Sequence, residues 1–129
     1  MCIDKDFNCI VPTNDYVFKR IFGHVGNENI TKNLLSSILD IEIKKINLEG
    51  NTILEKDLLD DKIGILDIKV EIDNDISCDV EMQVLNQNQL IERILFYWSR
   101  LYSSNINEGN NYKKLKRAIV ILIADFCLD

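Results

Sequence analysis

Two short alternations meeting at an acidic turn constrain this chain more than any other feature. Leu66, Ile68, Val70 and Ile72 are apolar, whereas Asp67, Lys69, Glu71 and Asp73 are polar. After Asn74-Asp75 the pattern returns in mirror image, with Ile76, Cys78, Val80, Met82 and Val84 against Ser77, Asp79, Glu81 and Gln83. Successive side chains of a strand point to opposite faces, so a period of two predicts a half-buried β-hairpin. Both apolar sets must share one face, and that requirement selects the register. A three-residue turn, Asp73-Asn74-Asp75, pairs Ile72 with Ile76, Val70 with Cys78, Lys69 with Asp79, and Asp67 with Glu81. A two-residue turn would throw one apolar set into water.

That register sets two carboxylates against each other. Directly opposed residues have Cβ atoms roughly 4.5–5.5 Å apart, and like charges at that separation destabilise a sheet. Two readings follow. One is a solvated charged face, with Lys69 and Asp79 as an ordinary cross-strand pair. The other places a cation between Asp67 and Glu81. Mg²⁺ suits such a pair, because it is commonly held by one or two carboxylates, with water and phosphate completing its shell.

The segments around the hairpin give an order of elements. Pro12-Thr13-Asn14 has the chemistry of a helix start, with Asp15 favourable near the positive helix end. Phe18, Ile21, Phe22 and Val25 then recur at helical spacing. A second amphipathic segment carries Ile30, Leu34, Leu35, Ile38 and Leu39. Ile41 to Leu48 alternates with one slip and predicts a strand ending at the turn Glu49-Gly50-Asn51. Gln87 to Ile106 predicts a long helix whose apolar face is Leu90, Ile91, Ile94, Leu95, Trp98, Leu101 and Tyr102. Gly109 lies just past its end. Lys113-Lys114-Leu115-Lys116-Arg117 leads into the continuous apolar run Ala118 to Ala124, which predicts a central strand covered on both faces and parallel to a neighbour. The order is α-β-β-β-α-β. The chain ends directly after this strand, so it reads as one domain, residues 1–129, of something longer.

Composition narrows the function classes. With 129 residues, 47% of them hydrophobic and 28% charged, the chain can bury a core and is not a disordered tail. A formal charge of −6 argues against gripping nucleic acid through overall charge. No apolar stretch reaches membrane-spanning length, and Met1-Cys2-Ile3-Asp4-Lys5-Asp6 lacks the pattern of a signal peptide. Cys2, Cys9, Cys78 and Cys127 form no Cys-x-x-Cys pair, and His24 is the single histidine. These read as free thiols in a reducing cytoplasm and a turn residue, not as a zinc site.

Several motifs carry a resemblance. Pro12 to Gly23 (PTNDYVFKRIFG) resembles the opening signature of the PD-(D/E)xK nuclease family transposases, also called recombination-promoting nucleases. Asp61-Lys62-x-Gly64-x-Leu66-Asp67-Ile68 and Val80-Glu81-Met82-Gln83 resemble that family's active-site strands. Arg93-x-x-x-Tyr97-Trp98-Ser99-x-Leu101-Tyr102 and Gly109-x-x-Tyr112 resemble its following helix and loop. The likeness runs in order along nearly the whole chain and stops short of the family's usual C-terminal region.

The resemblance implies an α/β, restriction-endonuclease-like PD-(D/E)xK core, a mixed sheet flanked by helices. It implies that Asp67 is the invariant acid, that Glu81 is the acid of the (D/E)xK element, and that both ligate Mg²⁺ or Mn²⁺. The backbone carbonyl of Met82 is a further implied ligand. Leu66 replaces the proline of the name, with little chemical consequence. Gln83 replaces the lysine, and glutamine can orient a water but carries no charge. Lys62 is favoured over Lys69 as the source of that charge, because Lys69 already has Asp79 as a partner.

By the same resemblance, Arg93 and Tyr97 border the metal site; the plain alternative is that Arg93, Tyr97, Arg100 and Ser104 form a solvated stripe. Asp15 and Lys19 are a helix-stabilising pair or a border of the site. Lys113, Lys114, Lys116 and Arg117 are a DNA-backbone contact or a solubilising loop edge. Trp98 is expected in the core. The implied activity is metal-dependent endonuclease cleavage of DNA in a bacterial-type cytoplasm, serving DNA mobility or recombination, with a homodimer as one expected assembly. The alternative is a catalytically weak or inactive nuclease-fold module that binds DNA or a protein partner.

Overall fold

The three-residue turn is where the architecture begins. In the computed structural model, which describes residues 15–49, 67–85 and 88–128, β2 (Asp67–Ile72) and β3 (Ile76–Gln83) form an antiparallel hairpin. Its register pairs Ile72 with Ile76, Lys69 with Asp79 and Asp67 with Glu81, as the alternation requires. Asp73 and Asn74 sit at φ 50° and 57°, left-handed conformations that Asn and Asp tolerate better than most residues. The amide of Asp75 closes the turn by donating to the Ile72 carbonyl at 3.0 Å.

The remaining elements assemble around that pair. They are α1 (Asp15–Phe22), α2 (Glu28–Leu39), β1 (Ile46–Leu48), α3 (Leu90–Ser104), a 3₁₀ turn (Tyr112–Lys114) and β4 (Arg117–Ala124). The four strands lie in the order β1-β2-β3-β4, the first two junctions antiparallel and the last parallel. This is the expected α-β-β-β-α-β order and a mixed sheet flanked by helices.

β1 is shorter than the alternation from Ile41 suggests. The Asp73 carboxylate takes the amides of Lys44 and Lys45, at 3.1 and 2.8 Å, and the Asp73 amide donates to the Lys45 carbonyl at 2.9 Å. Side-chain bonds therefore replace ladder bonds over this stretch, although Ile43 is still buried.

One face of the sheet is apolar and carries the core. Ile68, Val70, Ile72, Ile76, Cys78, Val80 and Met82 pack with Phe18 of α1 and Leu35 of α2, and with Ile119, Ile121 and Ile123 of β4. In α2 the inward row is Thr31, Leu35 and Leu39, which leaves Ile30 and Ile38 exposed; Val25, between the helices, is exposed too. The two helices are joined by side chains that satisfy carbonyls at the end of α1: Asn27 Nδ2 donates to Ile21 at 2.8 Å, and Thr31 Oγ1 donates to Phe22. Gly23 sits so tightly between the end of α1 and the sheet that a Cβ there would lie 2.7 Å from the Lys19 carbonyl and 3.3 Å from Ile68 Cγ1. The expected caps Thr13 and Asn14 lie outside the described residues.

Two expectations are corrected here. β4 is parallel to β3, but among the described residues it is the end strand, not a central one. Its apolar run is continuous because Ile119, Ile121 and Ile123 face the core while Ala118, Val120 and Leu122 share the opposite face with Ser77, Asp79 and Glu81. The second correction concerns α3. Leu90 of its expected apolar face is buried and Ile94 and Leu101 are half-buried, but Ile91, Leu95, Trp98 and Tyr102 are exposed, by 58%, 60%, 39% and 36%. The side turned to the sheet takes in a mixed row, Arg93, Tyr97, Leu101 and Asn105, at successive spacings of four. Arg93 bonds Glu81, and Asn105 Oδ1 accepts from Ser77 Oγ at 2.8 Å. The reason is the sheet surface beneath: α3 packs on β3 and β4, where Ser77, Asp79 and Glu81 need polar partners once covered. Trp98 is accordingly not core; its indole Nε1 donates to the Ala118 carbonyl at 2.9 Å from the helix margin.

Three measurements test this packing. Asp73→Ala strips two backbone amides of their acceptor, and we expect it to lower unfolding free energy by about 1–3 kcal/mol in denaturant titration. The Cys78 thiol is fully buried, and burial, with a smaller contribution from the Asp79 charge, pushes its pKa up to about 12. The folded state thus favours the neutral thiol, a contribution complete below the ordinary thiol pKa of about 9 and lost as pH rises from there toward about 12. The stability curve of Cys78→Ala should be shallower than the parent's across that window. Alkylation of the native protein should modify the exposed Cys127 and spare Cys78.

Candidate active site

The polar face of the hairpin supplies the chemistry. Register places the Cα atoms of Asp67 and Glu81 opposite one another, Asp67 at the start of β2 and Glu81 near the end of β3. The Asp67 side chain lies outside the described residues. The Glu81 carboxylate is 12% exposed, and its Oε1 accepts from Arg93 Nη2 at 2.9 Å and from Gln83 Nε2 at 2.6 Å. Gln83, two residues along the same strand, shares Glu81's face. Arg93 reaches it from the first turn of α3, whose start is marked by Gln89 at φ 63° and whose next turn is tied by the Arg93 amide donating to the Gln89 carbonyl at 3.0 Å.

Over β3 this surface is not a solvated charged face. Asp79 is 7% exposed, a burial that α3 imposes by lying over β3. Lys69, opposite Asp79 in register, is exposed because α3 packs on β3 and β4 and not on β2. The face is therefore roofed over β3 and open over β2. A guanidinium beside a carboxylate of low exposure interacts more strongly than a surface pair, because less water screens it. Two donors on one oxygen also restrict the Glu81 side chain to one orientation.

The other expected site residues fall into three groups. Lys19 of α1 is half-buried with a buried Nζ, and α1 leans on β2 and β3. Met82 has its side chain in the core, and its backbone lies between Glu81 and Gln83, paired with Ile123. Tyr97 is half-buried in the sheet-facing row, one turn beyond Arg93. Lys113, Lys114, Lys116 and Arg117 lie elsewhere: Arg117 pairs with Ile76, at the opposite end of β3 from Glu81. Lys62 lies outside the described residues, as does the side chain of Asp15.

The donor set can be tested against a metal. Among the described residues no group of three or more His, Cys, Asp or Glu side chains gathers to enclose an ion. Two acids opposed in register offer hard oxygen donors, a chemistry that fits Mg²⁺ or Mn²⁺ with most of the shell left to water and phosphate. It does not fit zinc, which favours nitrogen and sulfur. The residues present fit the ion that the sequence suggests.

Sequence reasoning did not foresee that Gln83 donates to Glu81. The signal was there, since residues i and i+2 of a strand share a face. It also missed the Ser77–Asn105 bond. The spacing of four from Arg93 through Asn105 was the available clue, hidden by the stronger apolar stripe beside it.

The model of the PD-(D/E)XK nuclease family transposases matches residues 12–129. The chain belongs to that family. Comparisons with curated proteins and with solved structures find no match. Membership carries the nuclease-type fold, and the candidate site described here sits where two adjoining strands set Asp67 and Glu81 opposite one another in register.

The contact between Arg93 and Glu81 is open to a direct check. Arg93→Ala leaves a largely covered carboxylate without its cation, and we expect a loss of about 1–3 kcal/mol by denaturant titration. Arg93→Lys restores charge but not the planar fork, so it should recover part of that loss.

Proposed function

We propose that this family member is a metal-dependent DNA endonuclease that hydrolyses phosphodiester bonds to leave 5′-phosphate and 3′-hydroxyl ends. The single observation that carries the reading is the opposition of Asp67 and Glu81, with Arg93 and Gln83 both bonded to Glu81. Asp67, Glu81 and the Met82 carbonyl would hold Mg²⁺ or Mn²⁺, which when bound polarises a phosphoryl oxygen and offsets its developing charge.

The chain's own residues have separate tasks. Arg93 and Gln83 hold Glu81 in place, so the acidic pair needs little reorganisation when the substrate arrives. The Arg93 guanidinium balances charge as a phosphate approaches the acidic pair. Gln83, its amide nitrogen engaged with Glu81, has its amide oxygen as an acceptor that can orient a water. Lys62 remains our candidate for the positive charge that a lysine at position 83 would supply. Asp15, Lys19 and Tyr97 border the site in this reading. The setting is DNA mobility or recombination in the cytoplasm, with a homodimer as the expected form for double-strand cutting. No described helix is long and apolar enough to cross a membrane.

A second reading draws on Gln83. With no charge at the lysine position, the same face could serve a binding module without turnover. Plasmid nicking in Mg²⁺ separates the two. The parent should convert supercoiled plasmid to nicked or linear forms, and Asp67→Ala and Glu81→Ala should each lose at least about two orders of magnitude in rate. Undiminished nicking in both variants would remove the assignment. Absence of cleavage together with absence of Mg²⁺ or Mn²⁺ binding in the millimolar range would favour the binding module.

A further inference from the structure

We propose that two copies of this chain pair through the outer edge of β4, antiparallel about a two-fold axis at Ile121, so that one sheet runs through both. The inference stands apart from the nuclease reading, whose expected homodimer it supplies with a surface.

The backbone of β4 comes first. The Asp125 amide donates to the Gln83 carbonyl at 3.0 Å, so the odd-numbered residues of this strand turn their amides and carbonyls to β3. The even-numbered residues, Ala118, Val120, Leu122 and Ala124, turn theirs away from it. Trp98 marks that outer side, because its indole Nε1 donates to the Ala118 carbonyl at 2.9 Å. Among the described residues nothing pairs there with Val120, Leu122 or Ala124. Burial agrees with an open edge. Cys78, Val80 and Met82 of β3 are buried, whereas their partners Ile119, Ile121 and Ile123 are only half-buried. An eight-residue strand with no proline, no bulge and no charge within it offers its open edge to another strand.

The strand's own sequence identifies the occupant. Ala118-Ile119-Val120-Ile121-Leu122-Ile123-Ala124 reads nearly the same in both directions about Ile121. Antiparallel pairing with a second copy therefore sets Ala118 against Ala124, Ile119 against Ile123 and Val120 against Leu122, each on matching faces. The outward amides and carbonyls of Val120 and Leu122 then exchange bonds with those of the other copy. The Ala118 carbonyl keeps its bond to Trp98. Charge fits the same register, which sets Arg117 of each copy against Asp125 of the other. Both are exposed, and among the described residues neither has an ion-pair partner within the chain. Opposite charges at the two ends select both the direction and the register of pairing.

The surroundings accommodate such a pair and limit it to two copies. Ile91, Leu95, Trp98 and Tyr102 of α3 are exposed on the side of this edge, as the Trp98 bond shows. Their spacings of four, three and four are those of a seam between two helices. α3 packs on β3 and β4, so the two-fold axis sets the two helices about two strand spacings apart, roughly 10 Å, a separation at which helices pack. At the other end of the sheet β1 has three residues, too short an edge to extend the assembly. Pairing at β4 alone is isologous and closes at a dimer. It leaves both acidic pairs, on β2 and β3, open on one side of that dimer.

Sedimentation equilibrium of the full chain, without DNA or metal, is the test. The parent should reach twice its monomer mass at micromolar concentrations and dissociate on dilution. Emission from Trp98, the single tryptophan, should shift to the red as it does so. Arg117→Asp or Asp125→Arg sets like charges opposite one another at both ends, and either should raise the dimer Kd by about tenfold at low salt. The double variant, and an equimolar mixture of the two single variants, should recover the parent's affinity. Asp125→Arg is the sharper arm, since it lessens the overall negative charge and would tighten a dimer formed through another surface. Val120→Pro removes an outward amide and no bond to β3, so it should abolish the dimer while circular dichroism stays unchanged.

A monomer throughout the micromolar range would overturn the proposal. So would a series of larger assemblies, or a dimer indifferent to both single charge reversals. A dimer that nicks no plasmid would keep this contact while removing the nuclease reading. Nicking by a monomer, dependent on Asp67, would do the reverse.

Discussion

The register of β2 on β3 is the constraint from which the rest of the molecule follows. A slip of one residue would send Ile68, Val70 and Ile72 to the polar face and the charged set into the core. The turn prevents that slip with chemistry of its own. Asp73 and Asn74 adopt positive φ, and the Asp73 carboxylate collects the Lys44 and Lys45 amides. One residue thereby shapes the hairpin turn through its backbone and, through its carboxylate, recruits the strand that pairs beside it. The same register that keeps Val70 and Cys78 in the core also sets Asp67 against Glu81.

A sheet with one apolar and one polar face needs two different covers, and the helices divide accordingly. α1 and α2 supply Phe18 and Leu35 to the apolar side. α3 turns a mixed row toward the polar side, with Arg93 on Glu81 and Asn105 on Ser77 at its two ends. Covering a polar surface with an apolar helix would strand Ser77, Asp79 and Glu81 without partners. The outcome leaves apolar side chains such as Leu95 and Ile91 in water, a cost per side chain smaller than that of an unpartnered buried charge.

The same arrangement bears on the metal site proposed for the acidic pair. Glu81 is held by two donors under the edge of α3, while the neighbouring surface over β2 stays open, as Lys69 shows by its exposure. A carboxylate that is both restrained and reachable is what binding a hard cation at low reorganisation requires. Gln83 fits this picture differently from the lysine it replaces. It orders the acid beside it and adds no charge.

Much of this was legible in the amino-acid order alone. The hairpin, its three-residue turn and the Asp67–Glu81 opposition follow from strict alternation, because strand geometry leaves only one pairing that shelters both apolar sets. Family membership was legible in the motifs from Pro12 to Tyr112, and the α-β-β-β-α-β order in the changes of period. The orientation of α3 was not, because its exposed apolar row is stronger in sequence than the mixed row facing the sheet. Nor was the end position of β4, since an apolar run reports only that both faces are covered and not which neighbours lie alongside. The alternation of residues was fully readable from their order, and with it which acids must oppose. Which helix face meets them, and the sharing of one Glu81 oxygen by Arg93 and Gln83, came only with packing, because those choices depend on the polarity of a surface assembled from strands far apart in the chain.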